Sequence, residues 1–229
     1  MYFENIVFDA LDPHRLGGFW EAVVGGVRIT DVPEGIETTL AVPDGPELDL
    51  CFQRVPEPTT ASPRVHLDVT GGPDPDAVVG RLIGLGARRL DDTTLADPEG
   101  SPLRVVAAGP AYDGASPLAA IRLESADPDR DTAFWAWLTG WTPVPGAPHA
   151  LRHPTGRGPL LALVVEAAPK GATKNRRHLD LRLEQGDDTV AAELIARGGH
   201  ELVVEWGELP WRSYTDPSGN ELCLLPARS

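Results

Sequence analysis

Arg64-Val65-His66-Leu67-Asp68-Val69 and Arg177-His178-Leu179-Asp180-Leu181 are two versions of one stretch. In both, apolar and polar residues alternate with period two, the mark of a half-buried strand whose His and Asp share one face while Leu and Val share the other. Each copy leads into an amphipathic helix, then Asp97-Pro98-Glu99-Gly100 or Asp216-Pro217-Ser218-Gly219, then one more apolar strand. Upstream of each copy lies a second segment of the same kind. Asp12-Pro13 precedes Phe19-Trp20, and Asp127-Pro128 precedes Phe134-Trp135 at identical spacing.

Read outward from these anchors, every segment has the order strand, helix, three strands. In the first, Ile6 and Phe8 alternate with polar neighbours, and Asp12-Pro13 supplies an N-cap and a first-turn proline. Leu16, Phe19, Trp20 and Val23 form one apolar stripe, and Gly25-Gly26 closes the helix. Short extended runs at Val27–Thr30, Glu37–Val42 and Glu47–Phe52 follow. After a Pro-, Thr- and Ser-rich connector the order repeats from His66, with a helix from Asp74-Pro75 to Gly86 and strands at Arg88–Asp91, Thr93–Ala96 and Leu103–Val106. A Gly-, Pro- and Ala-rich linker over 108–117 separates two copies of this two-unit pattern, so the chain reads as an internal duplication with halves at 1–109 and 117–229.

A chain of 229 residues with 41% hydrophobic and 24% charged composition can bury a core, and its net charge of -14 argues against nucleic acid or anionic lipid as partner. Cys51 and Cys223 lie in strands and make no disulfide framework, which fits a reducing cytoplasm. No stretch approaches a membrane span, and no targeting signal is visible.

The motif order resembles the vicinal oxygen chelate superfamily, in its glyoxalase-like branch. The match rests on Asp12-Pro13 with Phe19-Trp20, Val65-His66-Leu67-Asp68, Leu85-Gly86-Ala87 and Asp97-Pro98-Glu99-Gly100. In the second half it rests on Asp127-Pro128 with Phe134-Trp135, Arg177-His178-Leu179-Asp180 and Asp216-Pro217-Ser218-Gly219-Asn220. The resemblance implies an α+β fold of four βαβββ units in two tandem glyoxalase-like domains, with curved mixed sheets, helices outside and two concave pockets. It also implies a divalent-metal site on four strand positions, which become Asn5, Asp49, His66 and Arg104 in the first half, and Ala120, Ala162, His178 and Cys223 in the second. Only the histidines keep the expected type, and a guanidinium at Arg104 opposes a cation. No cofactor is therefore expected, with a divalent metal as the alternative.

Strand alternation turns Asn5, Asp49, His66, Asp68 and Arg104 inward from the first half, and Arg122, Glu124, His178, Asp180 and Cys223 from the second. His66 reads three ways: a metal ligand, a base near Asp68, or a neutral imidazole satisfied by hydrogen bonds. Arg104 or Arg122 could hold a ligand carboxylate, or pair internally with Asp49 or Glu124. Cys223 reads as an inert thiol in an apolar strand. Trp20 and Trp135 belong to the core, whereas Trp206 and Trp211 are candidate pocket walls. Pocket size should depend on the segments Asp31–Glu37 and Glu205–Pro210. The function expected is binding of a small organic molecule by a monomer or homodimer. The alternatives are a metal-dependent lyase, isomerase or dioxygenase using Asp49, His66 and Asn5, and a scaffold with vestigial pockets.

Overall fold

A computed structural model describes residues 1–57, 62–114, 116–203 and 209–228. Unit 1 comprises β1 (Tyr2–Ala10), α1 (Pro13–Val24), β2 (Val27–Val32), β3 (Gly35–Ala41) and β4 (Glu47–Arg54). Unit 2 comprises β5 (Val65–Thr70), α2 (Pro75–Gly84), β6 (Arg88–Arg89), β7 (Thr94–Ala96) and β8 (Pro102–Val106). Unit 3 comprises β9 (Leu118–Ser125), α3 (Pro128–Thr139), β10 (Thr142–Val144), β11 (Ala147–Arg152) and β12 (Leu160–Val165). Unit 4 comprises β13 (Arg177–Arg182), α4 (Val190–Ala196), β14 (His200–Leu202), β15 (Arg212–Thr215) and β16 (Glu221–Leu225). The segment Asp31–Glu37 is thus the end of β2, a tight turn and the start of β3.

The expected caps form. Asp12, Asp74 and Asp127 each accept a backbone N–H from three residues on, at 3.1, 3.0 and 3.1 Å. Gly25 and Gly140 end α1 and α3 in the left-handed region, at φ 66 and φ 69, where a Cβ would be strained.

Two 8-stranded mixed sheets result, ordered β14-β15-β16-β13-β1-β4-β3-β2 and β10-β11-β12-β9-β5-β8-β7-β6. Each sheet joins two units through antiparallel pairing of their first strands, β1 with β13 and β5 with β9. Unit 1 therefore shares a sheet with unit 4, and unit 2 with unit 3. That corrects the grouping expected from the halves: Asn5 and Asp49 share a sheet with His178 and Cys223, while His66 and Arg104 share the other with Ala120 and Ala162. All four first strands carry the same alternation, so the pattern alone does not say which pair meets.

The apolar faces of both sheets, with the stripes of all four helices, form one continuous core. Trp20 and Trp135 are fully buried in it, as expected. Their indole N–H groups donate to Asp97 and Asp216, at 3.4 and 3.1 Å, so a helix on each sheet is tied to an Asp-Pro turn of the other. A bulge falls at Glu4 in β1 and again opposite the Asp68–Val69 step between β5 and β9, without reversing the faces assigned by alternation.

Candidate functional site

The sheet of units 1 and 4 carries a cavity of about 670 Å³ on the face opposite the core. Its floor is built by the central strands: Asn5 and Val7 from β1, Cys51 and Gln53 from β4, His178 and Asp180 from β13, and Glu221 and Cys223 from β16. These are the alternate residues of each strand, because side chains two apart share a face. Leu202, Val203, Leu209, Pro210, Trp211, Leu225 and Pro226 give the cavity an apolar rim. Trp211 is thus a pocket wall; Trp206 lies outside the described residues.

The charged groups lining this cavity mostly have partners within the protein. Lys174 Nζ lies 2.6 Å from Asp9, Arg182 donates to both oxygens of Glu4 at 2.6 and 2.7 Å, and Glu221 meets Lys170 at 3.0 Å. Asp180 differs. Among the described residues its one ion-pair neighbour is His178, with Nε2 at 3.4 Å, and Asn5 Nδ2 donates to it at a long 3.5 Å. Asn5 Oδ1, His178 Nδ1 and Asp180 Oδ1 are buried with no hydrogen-bond partner. Burial pushes the Asp180 carboxyl up to about 7 and the His178 imidazole down to about 3, so the pair is uncharged in mildly acidic solution. The Cys223 thiol is pushed up to about 12 by burial, and Cys51 is raised by burial and by Glu37 beside it. Both thiols are inert in this setting.

The ligand atoms of His178, Asp180 and Cys223 lie within 4.8 Å of one another. An imidazole, a carboxylate and a thiolate suit a borderline-soft divalent ion such as Zn²⁺, whose own charge would offset the cost of ionising the carboxyl and thiol. The donor set therefore fits a metal here, on units 1 and 4.

The other sheet is built differently at the same positions. Asp68 stands beside Ala120 as Asp180 stands beside Asn5, and His66 beside Arg122 as His178 stands beside Val7. Arg104 accompanies Asp68 as Cys223 accompanies Asp180. Arg104 donates to Asp68 from Nε at 2.9 Å and Nη2 at 2.5 Å, and Arg122 Nε donates at 3.1 Å. His66 Nε2 lies 3.0 Å from Glu124, and burial holds its imidazole below the ordinary value against the pull of that carboxylate. The arginines thus pair internally, with Asp68 in place of the expected Asp49 or Glu124. Leu160 rather than Ala162 sits beside Ala120, where Asp49 sits beside Asn5, because β12 joins its ladder two residues earlier than β4. Among the described residues this face gathers no group of three potential metal ligands.

Of the residues singled out from sequence, the structure brings Asn5, His178, Asp180 and Cys223 together at the cavity. Asp49 does not line it; the side chain bonds Thr39, and burial raises its carboxyl. His66, Asp68, Arg104, Arg122 and Glu124 form the ion-paired cluster of the other sheet. Lys174 and Ser213 were not legible as site residues: one precedes β13 in a basic run, and the other lies on a strand that sequence reading places only loosely.

A family model described as a glyoxalase-like domain matches residues 5–106 and again 120–225. Among solved structures, glyoxalase I from Zea mays is similar with a TM-score of 0.62 and 16% identity, over 98% of this chain and 92% of that one. A putative dioxygenase from Bacillus subtilis has a TM-score of 0.59 and 13% identity, over 100% of this chain and 86% of that one. At such identity the likeness is one of fold. No curated protein sequence matches this chain.

Proposed function

Because the chain belongs to the glyoxalase-like domain family, and because one of its sheets carries an open cavity where the other holds ion-paired arginines at the matching strand positions, we propose that it binds a small organic molecule on the face of units 1 and 4. The observation that carries this reading is the cavity of about 670 Å³, of a size usual for small-molecule sites, with an apolar rim over buried polar atoms that lack partners. The rim takes the apolar body of the ligand and the floor orients its polar end. The face of units 2 and 3 is structural.

Cys51 and Ala162 occupy matching places, beside Val7 and Arg122 respectively, and so provide an internally controlled test. The fluorescent probe N-phenyl-1-naphthylamine should bind saturably at one site, Cys51→Trp should abolish that binding by filling the cavity, and Ala162→Trp should leave it. Equal behaviour of the two folded variants would sink the proposal.

The clustering of His178, Asp180 and Cys223 supports a second reading, in which the same floor holds a divalent ion. Such an ion would polarise a ligand oxygen. Asn5 would orient the ligand, and the apolar rim would keep water away. Zinc analysis of the purified protein and its Cys223→Ser variant separates the two readings. No helix among the described residues is long and apolar enough to cross a membrane.

A further inference from the structure

Asp68 and Asp180 occupy the same place in two copies of one architecture, and the strand neighbours around them differ in charge. Asp68 is fully buried and satisfied by two guanidinium groups, Arg104 and Arg122. Asp180 is 6% exposed, and the strand positions that supply those arginines in the other sheet hold Cys223 and Val7. Both replacements are short and both line the cavity. Where two arginines stand on one sheet, short side chains line the cavity on the other, beside a carboxyl whose one ion-pair partner among the described residues is His178 and which Lys174, itself paired with Asp9, reaches only through space.

On this basis we infer that the ligand of the cavity is an organic cation of the amidinium or guanidinium class, seated on Asp180 as Arg104 is seated on Asp68. This deepens the reading of the cavity as a small-molecule site and rests on it. A planar cation with parallel N–H groups meets a carboxylate through two charge-assisted hydrogen bonds, the geometry Arg104 Nε and Nη2 show on Asp68. Lys174, Arg182 and Glu221 do not compete for it, since each is engaged by an acid or base of its own. Asn5 Oδ1 is a further buried acceptor without a partner beside the same carboxyl. Leu202, Leu209, Pro210 and Trp211 suit an aromatic or aliphatic body attached to the cation.

Benzamidine and its neutral isostere benzamide test the inference, each used to displace N-phenyl-1-naphthylamine from the full-length protein. Benzamidine should displace the probe at a concentration about tenfold or more below that needed for benzamide. Asp180→Asn should retain the probe and erase that preference. Cys223→Arg places a guanidinium where Arg104 stands in the other sheet, and it should abolish benzamidine binding while the far-UV circular dichroism of the protein is preserved. Equal potency of the two compounds on the wild type, a preference that persists in Asp180→Asn, or unchanged benzamidine affinity in Cys223→Arg each overturns the inference while leaving the cavity a binding site. A wild-type protein that does not take up the naphthylamine probe overturns both.

Discussion

At the scale of single residues, Asp180 and His178 make opposite demands on pH. The Asp180 carboxyl rises from 3.8 to about 7 on folding, so within that window the folded protein keeps a proton the unfolded chain has released, and stability falls as pH rises. His178 falls from 6.5 to about 3, so the unfolded chain gains a proton the folded protein refuses, and stability rises with pH over that range. The two nearly cancel in mildly acidic solution. Asp180→Asn removes one and leaves the other, with Asn5, Cys223, Glu4 and Lys174 still around the site. Between about pH 5 and about pH 7.5 the wild type should therefore lose roughly 2 kcal/mol relative to the variant, read from urea unfolding at each pH. Parallel stability profiles would show that the carboxyl is ionised in the folded protein throughout. The face on which this residue lies was legible from alternation alone. Its want of an arginine partner was not, because β5 runs between β8 and β9 and brings Arg104 and Arg122 to Asp68, whereas β13 runs between β16 and β1 and brings Cys223 and Asn5 to Asp180.

At the scale of elements, the Asp-Pro-x-Gly turns do more than reverse the chain. Asp97 accepts the backbone N–H of Glu99 and Ser101 at 3.0 and 2.9 Å, the usual work of an aspartate in a turn. It also receives the Trp20 indole N–H from α1 and, at 2.8 Å, Nη2 of the buried Arg177 at the start of β13. The guanidinium of Arg177 in turn lies 4.9 Å from the Phe8 ring and 5.5 Å from that of Trp20. One turn of unit 2 thereby fastens units 1 and 4. Arg176 reaches Glu99 of the same turn, and Arg64 reciprocates from the other sheet by donating to Asn220 at 2.7 Å. Asp97→Ala leaves a buried guanidinium unpaired and should cost about 3 to 5 kcal/mol in denaturant unfolding. Asp12→Ala, which removes only a helix cap, should cost about 1 kcal/mol. If the two variants cost the same, the Arg177 pairing contributes nothing beyond the turn. The sequence motif marked both turns and the helix starts; it held no sign of the clasp, since Arg177 and Asp97 are far apart in the chain and meet only once the sheets are packed.

At the scale of the whole molecule, the duplication visible in the sequence and the pairing seen in the sheets cut the chain in different places. The repeat divides it at the linker over 108–117, whereas each sheet takes one unit from each side of that linker. The antiparallel ladders β1–β13 and β5–β9, at the middle of both sheets, are contacts between halves. The Asp97–Arg177 and Arg64–Asn220 clasps also cross between them, and so does the main hydrophobic core. A half taken alone would expose its two first strands along their unpaired edges and the apolar faces behind them, conditions that drive association. Segments 1–109 and 117–229 expressed together as separate chains should therefore purify as a 1:1 complex. Either segment expressed alone should self-associate or remain unfolded. Size-exclusion chromatography with mass measurement decides the matter, and the outcome that fails the prediction is a folded, monomeric half, because the ladder through Asn5 and Asp180 would then be dispensable to the sheet that carries the cavity.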